Sequence, residues 1–115
     1  MNYSSVKPED KVQIDWERVS ELIRDNIERL VMEVFPAGKK EGFDWRIGNT
    51  FGNRGKSLAI SLVREKAGLW IDFATGEHGN FTELLIQHGS ANSRVEAALW
   101  IGTTLGISVV KFTTR

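Results

Sequence analysis

The stretch from Gly68 to Leu85, GLWIDFATGEHGNFTELL, decides how the rest of the chain is read, because eighteen residues hold a strand, a glycine-punctuated loop and a helix start. Side chains alternate along a strand, so Leu69 and Ile71 point to one side and Trp70 and Asp72 to the other. Phe73 is expected to anchor the strand end. Ala74 to Gly79 then form a loop whose glycines can take positive φ. Asn80 is a good helix N-cap, and Glu83 three residues on completes a capping-box pattern. Physics alone makes this a well-capped strand-loop-helix corner. The same geometry can receive an anion, with Thr75, Gly76, Gly79 and Asn80 as the binding loop.

Upstream of this corner the pattern is that of strands. Phe43, Trp45 and Ile47 alternate with Asp44 and Arg46, and Leu58, Ile60 and Leu62 alternate with Ala59, Ser61 and Val63. The loop between them, GNTFGNRGK from Gly48 to Lys56, holds three glycines. Arg64 to Gly68 reads as a hairpin connection, too short for a parallel crossover, so the sheet is antiparallel with three to five strands. Further upstream, Val19, Leu22, Ile23, Ile27, Leu30, Val31 and Val34 recur at spacings of three and four. They predict one long helix over Trp16 to Val34, capped by Asp15 and stopped by Phe35 to Gly38. Its charged face, Glu17, Arg18, Glu21, Arg24, Asp25 and Glu28, is expected in solvent.

Downstream, Phe81 to His88 reads as a short helix ended by Gly89. Ser93 and Glu96 open another, with Ala97, Trp100, Ile101 and Leu105 on one face and Gly106 as its cap. Ile107 to Phe112 is a candidate edge strand, and Ser108 to Thr113 a candidate pairing edge for a dimer. The expected fold is α+β: an antiparallel sheet packed with one long N-terminal helix and two shorter C-terminal helices. Residues 1–14 are expected to be a flexible N-terminus and 15–115 a single domain.

Composition narrows the function. The 115 residues include no cysteine, which excludes disulfides and thiolate-ligated zinc. No apolar run approaches the ~20 residues of a membrane-spanning helix and no signal-peptide pattern opens the chain, so a cytoplasmic protein is expected. Formal net charge is zero, yet residues 39–66 carry seven Lys or Arg against three Asp or Glu, whereas residues 1–38 carry five against eight. The middle is therefore a local basic segment, either a positive field or a solvated set of strand edges. No nucleophile with an identifiable base, no Walker loop and no polymerase-like carboxylate cluster is present, so the chain is not expected to be an enzyme. His78 and His88 lack metal-ligand spacing, and neither a metal nor another cofactor is expected.

The ordered segments SLAISL (Ser57–Leu62), LWIDF with Gly76, Gly79 and Asn80, SRVEAA (Ser93–Ala98) and LGI (Leu105–Ile107) resemble the CHC2-type zinc-binding domain of bacterial and phage DNA primases. The likeness runs from Trp16 to Ile107, and the DFATGE wording is especially like primase-helicase proteins of phages and plasmids. It implies a zinc-ribbon-like fold and a role in recognising single-stranded template DNA. The ligands do not carry over: Gly48, Phe51, Asp72 and Thr75 stand where the resemblance would put the Cys and His residues. A metal-free version is therefore expected, with Phe51 filling the space of the metal and Asp72 bonding its own loop.

If the DNA-binding use persists, the resemblance points to a sheet face carrying aromatic and basic residues together. Trp45, Arg46, Arg54, Lys56, Arg64 and Trp70 are the candidates, the indoles stacking on bases and the cations meeting phosphates. Core packing is the competing account of both tryptophans. Two functions follow: a single-stranded DNA-binding module acting beside a primase or helicase in phage or plasmid replication, or a protein-interaction module or inhibitor docking through Trp100 or the last strand. A piece of a larger primase-like chain is a third origin.

Overall fold

Residues 12–112 are described by the structure, a computed structural model. The long amphipathic helix forms where its apolar spacing predicts. Helix α1, Trp16–Val34, is capped by the Asp15 carboxylate, which accepts from the Arg18 N–H at 3.1 Å. Val19, Leu22, Ile27, Leu30, Val31 and Val34 are buried along one stripe and Ile23 is partly buried. One departure lies inside: Asn26 leaves helical geometry (φ −132°, ψ 20°), and its side-chain amide donates to the Leu22 carbonyl at 3.0 Å. A side chain that competes for the i−4 carbonyl bends a helix at that point. Phe35, where the helix stops, is fully buried.

Five short strands follow: β2 (Lys39–Glu41), β3 (Asp44–Ile47), β4 (Leu58–Ser61), β5 (Trp70–Asp72) and β6 (His78–Gly79). They form one antiparallel sheet in the order β2-β3-β4-β5-β6. A 3₁₀ turn, Arg64–Lys66, lies between β4 and β5. Directly paired residues share a face. Lys40, Trp45, Ile60, Trp70 and Gly79 therefore line up in one row, with Ile47, Leu58 and Asp72 beside it. Trp45, Ile47, Leu58, Ile60 and Trp70 from these rows join the core that reaches from Val19 to Val109.

Helix α2, Phe81–His88, carries the full capping box: the Asn80 side chain accepts from the Glu83 N–H, and the Glu83 carboxylate accepts from the Asn80 N–H at 2.8 Å. Gly89 ends it with φ +98°. Helix α3, Arg94–Leu105, is capped by Ser93, but the Glu96 carboxylate takes the Asn92 N–H. Its buried residues are Ala97, Ala98, Ile101 and Gly102, while Trp100 and Leu105 are half-buried. Gly102 lets the chain after α3 fold back against the helix: a Cβ there would meet the Ile107 carbonyl oxygen at 2.7 Å.

The N-terminal end departs from the sequence reading, whereas the strand expected within Ile107 to Phe112 forms. Residues 12–14, expected to be loose, form strand β1 (Val12–Ile14), which pairs antiparallel with β7 (Val110–Phe112) in a separate two-stranded sheet. The Asp15 N–H donating to the Val109 carbonyl at 2.8 Å continues that pairing into α1. The remainder of the expected flexible N-terminus, residues 1–11, and Thr113 of the expected pairing edge lie outside the described residues. Among the described residues the architecture is thus α+β, with three helices, a five-stranded sheet and a two-stranded one. No helix among the described residues is long and apolar enough to cross a membrane.

Candidate nucleic-acid interface

The two tryptophans expected to stack on bases lie on the core side of the sheet. Trp45 is 8% exposed and donates its indole N–H to the Phe35 carbonyl at 3.1 Å; Trp70 is 3% exposed and donates to the Asn80 carbonyl at 2.8 Å. Rings that are packed and hydrogen-bonded in this way hold α1 and the start of α2 against the sheet, and offer no face to a base. Arg64 is also displaced from the expected group. It sits in the 3₁₀ turn and pairs with Asp25 of α1, and their mutual hydrogen bond holds the Asp25 carboxyl below its usual range and raises the Arg64 guanidinium.

The opposite face gathers the remaining candidates around a different ring. Lys39, Arg46, Ala59, Ile71 and His78 are paired in one row across all five strands. Phe73 follows one residue beyond β5 with the same parity as Leu69 and Ile71, and it is 63% exposed, so it anchors nothing in the core. Leu69 and Ile71 are exposed as well. The Arg46 guanidinium lies 5.6 Å from the Phe73 ring centroid, a cation–π distance. It is fixed there by donating to the Lys56 carbonyl at 2.9 Å and by the Asp44 carboxylate at 3.6 Å, with its Nε buried and unpartnered among the described residues.

The loop from Gly48 to Ser57 carries two further cations, Arg54 and Lys56. Gly48 donates to the Asn53 carbonyl at 2.6 Å, and the Asn49 side chain accepts from the Phe51 and Asn53 N–H groups. A Cβ on Gly48 would stand 2.6 Å from the Arg54 carbonyl oxygen, so glycine is what allows the loop to close on itself. Arg54 and Lys56 are exposed, and Lys56 reaches Glu41 at 3.2 Å. Lys39 and Arg46 thus share the outer row, Lys56 reaches Glu41 on that side and Arg54 is exposed in the adjoining loop, whereas Trp45, Trp70 and Arg64 lie elsewhere. Phe73 and Lys39 escaped the sequence reading. The parity of Phe73 relative to Trp70 was the available signal.

The Thr75–Asn80 corner spends most of its backbone donors within the chain. The Thr75 and Gly76 N–H groups donate to the Asp72 carbonyl, Glu77 N–H to the Thr75 hydroxyl, and Asn80 N–H to Glu83. Gly76 has φ +82°, as a turn position requires, whereas Gly79 is kept small by Glu83 and the Trp70 indole nitrogen. With Glu77 and Glu83 adding negative charge, these four N–H groups are not free to meet an anion.

The positions matched to zinc ligands likewise do not make a metal site. Asp72 is buried and accepts from the Ser57 hydroxyl at 2.8 Å and the Ala74 N–H at 2.9 Å. Phe51 is 71% exposed and fills no metal-sized space. Glycine, phenylalanine, an occupied aspartate and a threonine do not fit tetrahedral zinc. His78 stands exposed on β6 and His88 is at the end of α2, and among the described residues no three His, Asp or Glu side chains gather as a metal site.

His88 is half-buried edge-on to Phe35, 5.1 Å between centroids, with Nδ1 2.6 Å from the Ser90 hydroxyl; burial lowers its pKa. Comparison with protein-family models, curated proteins and solved structures finds no match to this chain.

Proposed function

We propose that the chain is a non-enzymatic module that binds single-stranded DNA through the outer face of its five-stranded sheet, beside a primase or helicase of a replication system. One observation carries this reading: an exposed phenylalanine, Phe73, with the Arg46 guanidinium held over it, on a face edged by Lys39 and the Arg54–Lys56 loop. Single-strand binders combine a ring on which any base can stack with cations that follow the backbone. Arg46, engaged by protein oxygens, positions Phe73. Lys39 and Arg54, in no ion pair among the described residues, are left to meet phosphates, and Lys56 joins them by exchanging Glu41 for one. The order of segments shared with primase zinc-binding domains supports the same use without zinc.

The test is fluorescence anisotropy of a labelled single-stranded oligonucleotide. Three phosphate contacts give a slope of log affinity against log salt of about −2, or about a 20-fold loss between ~50 mM and ~200 mM salt. Phe73→Ser is expected to weaken binding about fivefold or more, with unchanged thermal unfolding. Folded protein that shows no saturable, salt-sensitive binding refutes the proposal.

A second reading has its own observation. Leu69, Ile71 and Phe73 expose three apolar side chains along β5 and the residues flanking it, while Arg46 and Lys56 are partly neutralised by Asp44 and Glu41. Such a face suits a protein partner, and Phe73→Ser would then disrupt a complex while salt has little effect.

A further inference from the structure

At the Leu69 end of β5 a groove of about 230 Å³ opens between the first turns of α1, the 3₁₀ turn and the starts of α2 and α3. Its apolar lining includes Trp16, Ile23 and Phe81. Gly68, at φ +85°, lets the chain pass close to Phe81, where a Cβ would stand 2.7 Å from the Phe81 Cβ. Arg24, Lys66 and Arg94 line the groove against a single carboxylate, Glu65. None of these three cations takes part in an ion pair among the described residues. The Arg94 guanidinium lies 4.7 Å from the Trp16 ring centroid, and Trp16 keeps 37% of its surface exposed although it is a tryptophan at a helix start.

Asn80, also in the lining, accepts from Glu83 N–H and the Thr82 hydroxyl through its side-chain oxygen. Its amide nitrogen has no partner among the described residues and can donate to a base edge. A flat aromatic wall, positive charge free of ion pairs and one amide donor select a ligand that joins a planar ring to an anion. The volume is too small for a peptide helix, whose diameter is about 10 Å.

We propose that this groove binds a nucleoside monophosphate unit, with its base against Trp16 and its phosphate among Arg24, Lys66 and Arg94. The unit comes either from a free mononucleotide or from the 5′-phosphorylated end of a strand. Of the outer sheet face the groove shares only Leu69, at its edge, and none of Phe73, Arg46, Lys39, Arg54 or Lys56, so it stands or falls separately from that reading.

The experiment is calorimetric titration of the full chain with thymidine 5′-monophosphate, with inorganic phosphate, and with short oligonucleotides carrying a 5′-phosphate or a 5′-hydroxyl. Saturable binding of the mononucleotide or the 5′-phosphorylated strand is expected, weakened about fivefold or more in Trp16→Leu, Arg94→Gln and Lys66→Gln and unchanged in Phe73→Ser. Lys66 is exposed, so Lys66→Gln reports even if Trp16→Leu disturbs folding. A mononucleotide that binds as tightly as the 5′-phosphorylated strand identifies the free ligand as sufficient. Preference for that strand over both the mononucleotide and the 5′-hydroxyl strand identifies a strand end. The proposal is overturned if inorganic phosphate binds as tightly as the nucleotide, if the groove variants bind like wild type, or if neither nucleotide-bearing probe binds.

Discussion

Trp70→Phe separates a core tryptophan from a base-stacking one, and the structure sets the size of the effect. Trp70 is 3% exposed and lies in the central row of the sheet, opposite Ile60 on one side and Gly79 on the other. Its indole N–H donates to the Asn80 carbonyl at 2.8 Å. That carbonyl also accepts the Leu84 N–H at 3.1 Å, so losing the indole leaves the acceptor still engaged. The lost hydrogen bond then costs about 1 kcal/mol rather than the full penalty of an orphaned group. Trimming the buried ring to phenylalanine adds about 1 to 2 kcal/mol for lost contact and residual cavity. A total of about 2 to 3 kcal/mol corresponds to a drop in Tm of about 10 to 20 °C for a domain of this size. Urea unfolding at neutral pH measures it, with unchanged slope as the check that the loss is one of stability. A loss below about 0.5 kcal/mol together with weakened nucleic-acid binding would refute the core assignment.

Asp72→Ala removes the acceptor shared by the Ser57 hydroxyl and the Ala74 N–H. It is expected to cost about 1 to 3 kcal/mol in urea unfolding, with Asp72→Asn losing less; equal losses would contradict the hydrogen-bond account. Gly48→Ala drives a Cβ to 2.6 Å from a backbone oxygen, whereas at Gly79 the first obstacle is the movable end of Glu83, also at 2.6 Å. Thermal unfolding is expected to show the larger loss for Gly48→Ala, and the reverse order would mean that the loop closes differently. His88 has its pKa lowered by burial from the ordinary 6.5, so the unfolded chain binds the proton more readily. Its contribution is complete above that value and is lost as pH falls through 6.5 toward the lowered folded value. Urea midpoints measured across that window should fall on acidification, and His88→Gln should flatten the decline.

What the sequence discloses of this fold is what short-range chemistry determines. Asp15, Asn80 and Ser93 cap helices because their side chains reach an N–H three residues ahead, and Gly89 and Gly106 end them because the backbone must turn left-handed there. The strand β1 has no such local signature. Three residues become a strand only because Val110–Phe112, almost a hundred positions away, comes to lie beside them. The surface obeys a mixed rule. Alternation by itself opposes Trp70 and Asp72 to Ile71 and Phe73, but it does not say which set is covered. The choice comes from register, which lines Trp70 up with Ile60 and Trp45 in one row and Ile71 with Arg46 and Lys39 in the other. Once the two indoles lie on the helix side with their N–H groups satisfied, the exposed ring on the outer face is Phe73, beside the cations that share its side. Trp16, at the start of a helix where amphipathic periodicity barely constrains it, is free to line a groove. Both candidate surfaces therefore depend on aromatics whose roles were decided by what the core had already covered, and that is information a linear pattern does not contain.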